Sequence, residues 1–163
     1  LPERCSGRGG AGLAGTATAA THPAWSSSAP KPTIVLVHGA WADGSSWNSV
    51  VEDLQSLGYT VDVPPNPLRG VASDGAYLSD FLSTISGPIV LVGHSYGGLV
   101  ITQAATGNAQ VKALVYDDAF IPAAGDTPLS LSSAEPGSCL ADATTALNFV
   151  PYPAPRPATR TCT

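Results

Sequence analysis

The chain has 163 residues, long enough for one domain with a core of its own. Only 12 % of them are charged and the formal net charge is −5, without a basic run, which speaks against a nucleic-acid partner. No apolar run nears the roughly 20 residues that span a bilayer, so no membrane partner is expected either.

Residues 1–32 are rich in Ala, Gly, Ser, Thr and Pro and show no hydrophobic period. Within them, Ala11 to Ala20 resembles the end of an export signal, and Ala17 and Ala19 fit a small-residue cleavage pattern. Arg4 and Arg8 are followed by glycines instead of a strong apolar stretch, so the signal is incomplete and a plain linker is the other reading. A working signal implies secretion; otherwise the expected location is cytoplasmic.

The character changes at Lys31. Thr33 to Val37 is a β-branched run that reads as a strand buried on both faces, the kind found in parallel sheets, and it ends in His38-Gly39-Ala40-Trp41. Ser46 to Leu57 places Trp47, Val50, Val51, Leu54 and Leu57 at spacings of three and four, an amphipathic helix closed by Gly58. Tyr59 to Val63 reads as a second strand, stopped by Pro64 and Pro65. Asp74 is a candidate cap for a helix running to Ile85, with Ala76, Tyr77, Phe81, Leu82 and Ile85 facing inward. A third strand, Ile89 to Val92, runs into Gly93-His94-Ser95-Tyr96-Gly97-Gly98. A helix from about Tyr96 to Thr106 follows, ended by Gly107, and then a fourth strand from Val111 to Tyr116. Further on, Leu129 to Ala134 suits a short helix, whereas the Pro-rich stretch from Pro151 to Pro157 suits neither helix nor central strand.

This alternation implies an α/β fold: a parallel sheet of about four strands with right-handed crossovers and helices on both faces. The expected organisation is an unfolded segment over residues 1–32, an α/β core over 33–136 and an irregular tail over 137–163. Cys5, Cys139 and Cys162 are an odd set without metal-ligand spacing, and no histidine lies near them in sequence, so no metal is expected. Three unpaired thiols, or a Cys139–Cys162 bridge in an exported protein, both fit.

The serine at the end of the third strand stands where a strand breaks sharply into a helix. Such a turn forces its central residue into a strained conformation and brings neighbouring chains close, which requires small residues on both sides. It also lifts the hydroxyl to the carboxyl edge of the sheet, beside a helix amino end that favours developing negative charge. Through this turn, and through the strand followed by His38-Gly39-Ala40-Trp41, residues from about Thr33 to Pro136 resemble the α/β-hydrolase superfamily. The resemblance is to its small esterase and hydroxynitrile-lyase-like branch, and it implies a partial α/β-hydrolase fold with Ser95 as nucleophile. It further implies an oxyanion hole from the backbone N–H groups of Ala40 and Tyr96, and a substrate pocket involving His38, Gly39, Trp41 and His94. By the same resemblance His38 and His94 are scaffold residues and not bases, and Trp47 packs or lines the pocket wall. The implied substrate is a small, largely apolar ester, and no cofactor is called for.

The chain departs from the family pattern in one respect. The triad order in this fold is serine, acid, histidine, yet no histidine follows Ser95; the three present are His22, His38 and His94. Asp117 and Asp118, at the end of the fourth strand, are candidates for the acid, with loop or cap carboxylates as the plainer reading; Asp126, Glu135 and Asp142 are weaker candidates. Without an imidazole a serine hydroxyl is a poor nucleophile, so ester hydrolysis by this chain is expected to be impaired. The alternatives are a non-catalytic relic or ligand-binding fragment, and a lyase-like or cofactor-free haloperoxidase-like activity. The last strands and the cap of the family fold are expected to be absent. The tail from Pro153, dominated by Ala, Pro, Arg and Thr, reads as a frameshifted end or as a genuine Pro-rich tail. Val111, Ala113, Leu114 and Val115 would then form an exposed sheet edge open to self-association.

Overall fold

In the computed structural model, which describes residues 30–147, the run Thr33–Val37 forms β1 and lies between two parallel neighbours. The chain then makes a short 3-10 turn (Gly44–Trp47), α1 (Asn48–Ser56), β2 (Val61–Asp62), α2 (Val71–Leu82), β3 (Ile89–His94), α3 (Gly97–Ala105) and β4 (Val111–Asp117). Two short helices follow, α4 (Pro128–Ser133) and α5 (Ala143–Ala146), with a 3-10 turn at Cys139–Ala141 between them. Among the described residues the strands make one parallel sheet in the order β2-β1-β3-β4.

That order has a consequence for the site. The chain leaves β1 in one direction, to β2, and later returns past β1 to build β3 and β4. Right-handed crossovers then send α1 to one face and α2 and α3 to the other. The loops after β1 and β3 diverge, and the crevice between their carboxyl ends is where open α/β sheets bind ligands.

Alternating side chains supply both faces of β1 and β3. Val35, Val37, Ile89 and Leu91 point toward α2 and α3, where Leu78, Leu82, Val100, Ile101 and Ala104 complete a buried cluster. Ile34 and Leu36 point the other way and are covered by Trp47, with Val51, Leu54 and Val92 partly buried around them.

Several boundaries differ from the sequence expectation. β2 pairs only through Val61 and Asp62, against β1, before Pro64 and Pro65 end it; Tyr59 instead packs beneath α1, with the Lys31 ammonium 4.8 Å above its ring. Helix α1 begins after the 3-10 turn, whose cap is Asp43; hydrogen bonds from Ser45 hold that exposed carboxyl below the usual range. Val50 and Leu57 face solvent, since the cover on this face is one stripe wide. Helix α2 starts at Val71, so Asp74 lies inside its first turn and is not the cap residue. Its inward residues are Gly75, Leu78 and Leu82, with Phe81 and Ile85 partly buried, whereas Ala76 and Tyr77 face outward. The short helix expected near Leu129 is α4, closed by a reciprocal Thr127–Ser130 cap. Contrary to the expectation of an irregular tail, residues 139–146 contain helical turns, with Asp142 accepting from the Thr144 amide. The export-like segment, the Pro-rich end, Cys5 and Cys162 lie outside the described residues; Cys139 is exposed.

Candidate active site

Ser95 sits between β3 and α3 with φ of +51°, a left-handed conformation that is uncommon for a residue with a side chain. Its surroundings are built to hold it there. A Cβ placed on Gly93 would lie 2.7 Å from the Gly97 carbonyl, and one on Gly97 would lie 2.5 Å from the Val37 carbonyl oxygen. A Cβ on Gly39 would come 2.8 Å from Ser95 Cβ, so the loop after β1 presses directly on the turn. The Ser95 carbonyl accepts from the amides of Gly98 (3.0 Å) and Phe120 (3.1 Å), tying the turn to the segment after β4.

Ser95 opens into an apolar cleft of about 290 Å³ that Ala40 and Tyr96 also line. Trp41, Phe120, Leu129 and Leu140 are among its walls. Trp41 is 74 % exposed and adopts φ of +60°, which places a large apolar ring at the cleft mouth. The structure therefore brings Ser95, Ala40, Tyr96 and Trp41 to one hollow, with Gly39 beneath the serine.

The two other pocket candidates sit elsewhere. His38 is buried; its Nδ1 donates to the Gly39 carbonyl at 2.9 Å and its Nε2 accepts from the Asn66 amide at 3.2 Å. Both ring nitrogens are thus committed, and the ring lines a separate hollow with Asp43 and Leu68. His94 stands edge-on to Trp47, ring centroids 6.5 Å apart, and shares a third hollow with Ser46 and Asp117. Trp47 is buried against β1. Asp117 and Asp118 are both exposed and neither lines the Ser95 cleft; Asp117 lies in register with His94, and Asp118 has φ of +42°. Asp126 accepts from the Ala123 amide within its own loop, and Glu135 is exposed.

The most deeply buried polar side chain among the described residues is one that the sequence reading took only for a helix cap. Asp74 is 1 % exposed, and its carboxylate accepts from the Arg69 and Gly70 amides (3.1 and 3.2 Å) and from the Tyr96 hydroxyl (2.8 Å). Burial, then the hydrogen bond and the charge of Asp74, raise the Tyr96 phenol well above its ordinary range. The available signal was Gly75. A glycine inside a helix costs roughly 0.5–1 kcal/mol relative to alanine and marks close packing, here against the Gln103 side chain.

A strained serine at a strand-to-helix break, opening into an apolar cleft beside the loop of an adjacent parallel strand, is the arrangement of a known family, and residues 34–161 match the alpha/beta hydrolase family model. The chain belongs to the alpha/beta hydrolase family. It is 34 % identical over 110 residues to a carbendazim hydrolyzing esterase of Nocardioides sp. (60 % of this chain, 46 % of that protein). It is 35 % identical over 109 residues to a pyrethroid hydrolase of Sphingobium wenxiniae (58 % of this chain, 38 % of that protein). Among solved structures, a pyrethroid hydrolase from Sphingobium faniae superposes with a TM-score of 0.54 at 30 % identity, covering 65 % of this chain and 46 % of that one. The chain thus spans less than half the length of these hydrolases.

Proposed function

We propose that this chain carries the nucleophile and oxyanion portion of a serine carboxylic-ester hydrolase acting on a small, largely apolar ester. The observation that carries this reading is Ser95, strained at φ of +51° and opening into an apolar cleft with Ala40 and Tyr96. The names of the relatives, an esterase and a pyrethroid hydrolase, support the substrate class. Ser95 Oγ would attack the ester carbonyl carbon while the C=O electron pair moves onto oxygen. The N–H groups of Tyr96, at the amino end of α3, and of Ala40, in the loop after β1, meet that charge; one such donor is typically worth about two to three powers of ten in rate. Collapse breaks the C–O bond to the leaving group, which departs as the alcohol with the proton given up by Ser95 Oγ and carried by solvent; the acyl group left on Ser95 is then cleaved by water. Trp41, Phe120 and Leu129 provide an apolar seat for the acyl chain.

Deprotonating Ser95 requires a base, and among the described residues no imidazole lines the cleft. Hydrolysis by the described residues alone is accordingly slow. The same observation favours a second reading, a fragment that binds an apolar ligand without turning it over. A fluorophosphonate probe and p-nitrophenyl butyrate separate the two. Probe adduct on Ser95 with slow release of p-nitrophenol, both lost in Ser95→Ala, is the expected result. A folded chain that leaves Ser95 unmodified and the ester intact supports the ligand-binding reading.

A further inference from the structure

Three polar side chains are buried among the described residues: His38, Asn66 and Asp74. All three belong to one arrangement around residues 66–74, and none is needed for covalent chemistry. At one end, the Asn66 amide donates to His38 Nε2 (3.2 Å) and the Asn66 side-chain nitrogen donates to the His38 carbonyl (3.0 Å). His38 stands two residues before Ala40. At the other end, Asp74 accepts the Tyr96 hydroxyl at 2.8 Å. Between them the segment closes on itself: the Arg69 and Gly70 amides donate to the same carboxylate, and Leu68 and Gly70 take positive φ values of 56° and 141°. Leu68, Arg69 and Gly70 line a shallow hollow directly against Ala40 and Tyr96.

We propose that residues 66–74 act as a brace for the oxyanion pair, with Asn66 and Asp74 as positioning residues that set the Ala40 and Tyr96 amides relative to each other. The role assigned to those amides rests on the serine-hydrolase reading above; the mechanical coupling does not. A buried carboxylate or amide deprived of its partner is expensive, so the energetic reason for burying these groups must lie in what they hold. Preorganised donors accelerate a reaction only if they need not move when charge develops. One segment gripping the neighbours of both donors supplies that fixity, without adding a side chain to the cleft.

The test uses the intact chain labelled with 15N. In Asp74→Asn the amide resonance of Ala40 moves as well as that of Tyr96; in Asn66→Ala the resonance of Tyr96 moves as well as that of Ala40; Leu36, in the centre of β1, stays in place in both. If each variant shifts only the nearer amide, the contacts are independent and the brace is refuted. Should Asp74→Asn fail to fold, Tyr96→Phe removes only the phenol hydroxyl and puts the same question to Ala40. Fluorophosphonate labelling at Ser95 supplies the second readout. Loss of the Asp74–Tyr96 bond is expected to slow it by about ten- to hundredfold. The Asp74→Asn/Tyr96→Phe pair should be no slower than either single variant, as for two ends of one interaction. Wild-type chain that resists the probe while both amides respond to both variants overturns the nucleophile assignment and leaves the brace standing. Labelled wild type with uncoupled amides does the reverse.

Discussion

The two faces of the sheet are unequal. Toward α2 and α3, Val35, Val37, Ile89 and Leu91 are fully buried by two packed helices, and the long-range side-chain hydrogen bonds Asp74–Tyr96 and Thr102–Tyr116 lie on that side. Toward α1, Trp47 covers Ile34 and Leu36, its indole N–H finds no partner among the described residues, and cover thins across the sheet until Val115 is 45 % exposed. Ala113, paired with Val90, is exposed as well. The lesson is that the serine turn takes its rigidity from the closed face. Tyr96 packs there, and α2, which carries Asp74, is seated there.

The largest effect should come from breaking the closed face. Leu82 is fully buried, and Leu82→Ala should cost about 2–5 kcal/mol in urea denaturation, the range for a cavity left in a packed core. A smaller, pH-dependent effect belongs to Tyr96. Its phenol proton is held above the ordinary range, so the folded chain keeps a proton that the unfolded chain releases above about pH 10. The contribution is complete below that pH and is lost as pH rises further, because the unfolded state then binds fewer protons. Tyr96→Phe should therefore lose stability less steeply than wild type between about pH 10 and 12, measured by thermal melts across that range. The smallest effect is expected on the open side. Val115→Lys should change stability by no more than about 0.5 kcal/mol, yet lower any self-association seen by light scattering. A loss comparable to that of Leu82→Ala would mean that the open side is a true core.

Much of this was legible in the residues, for reasons that differ by element. The four strands could be read because short β-branched runs flanked by Gly and Pro have few alternative uses. The serine turn could be read because close approach of three backbones leaves glycine as the sole choice at Gly93 and Gly97. The inward face of α2 was misassigned at Tyr77 and Ala76 because they flank the buried stripe of Asp74, Gly75, Leu78 and Leu82, and their apolar character was taken for burial while the polar Asp74 and the bare Gly75 were passed over. Asp74 itself was read as a cap because an acid near a helix start usually is one; its true partner, Tyr96, is 22 positions away, a separation no local pattern encodes. The walls of the cleft beyond Trp41 escaped for the same reason, since Phe120, Leu129 and Leu140 come from the segment after β4 and meet Ser95 only in the folded chain.

The base of the cleft and its sides have separate origins. Ala40, Ser95 and Tyr96, just past the ends of β1 and β3 and with Gly39 packed beneath the serine, make its base, while Phe120, Leu129 and Leu140 make much of its sides. On the proposed ester-hydrolase reading, replacing Leu129 or Leu140 would alter which acyl groups are admitted and leave the Ala40 and Tyr96 amides where they are. Under that reading, such a division would let selection retune appetite and reactivity one at a time, so a lineage could drift from one small ester to another without rebuilding the machinery that attacks it.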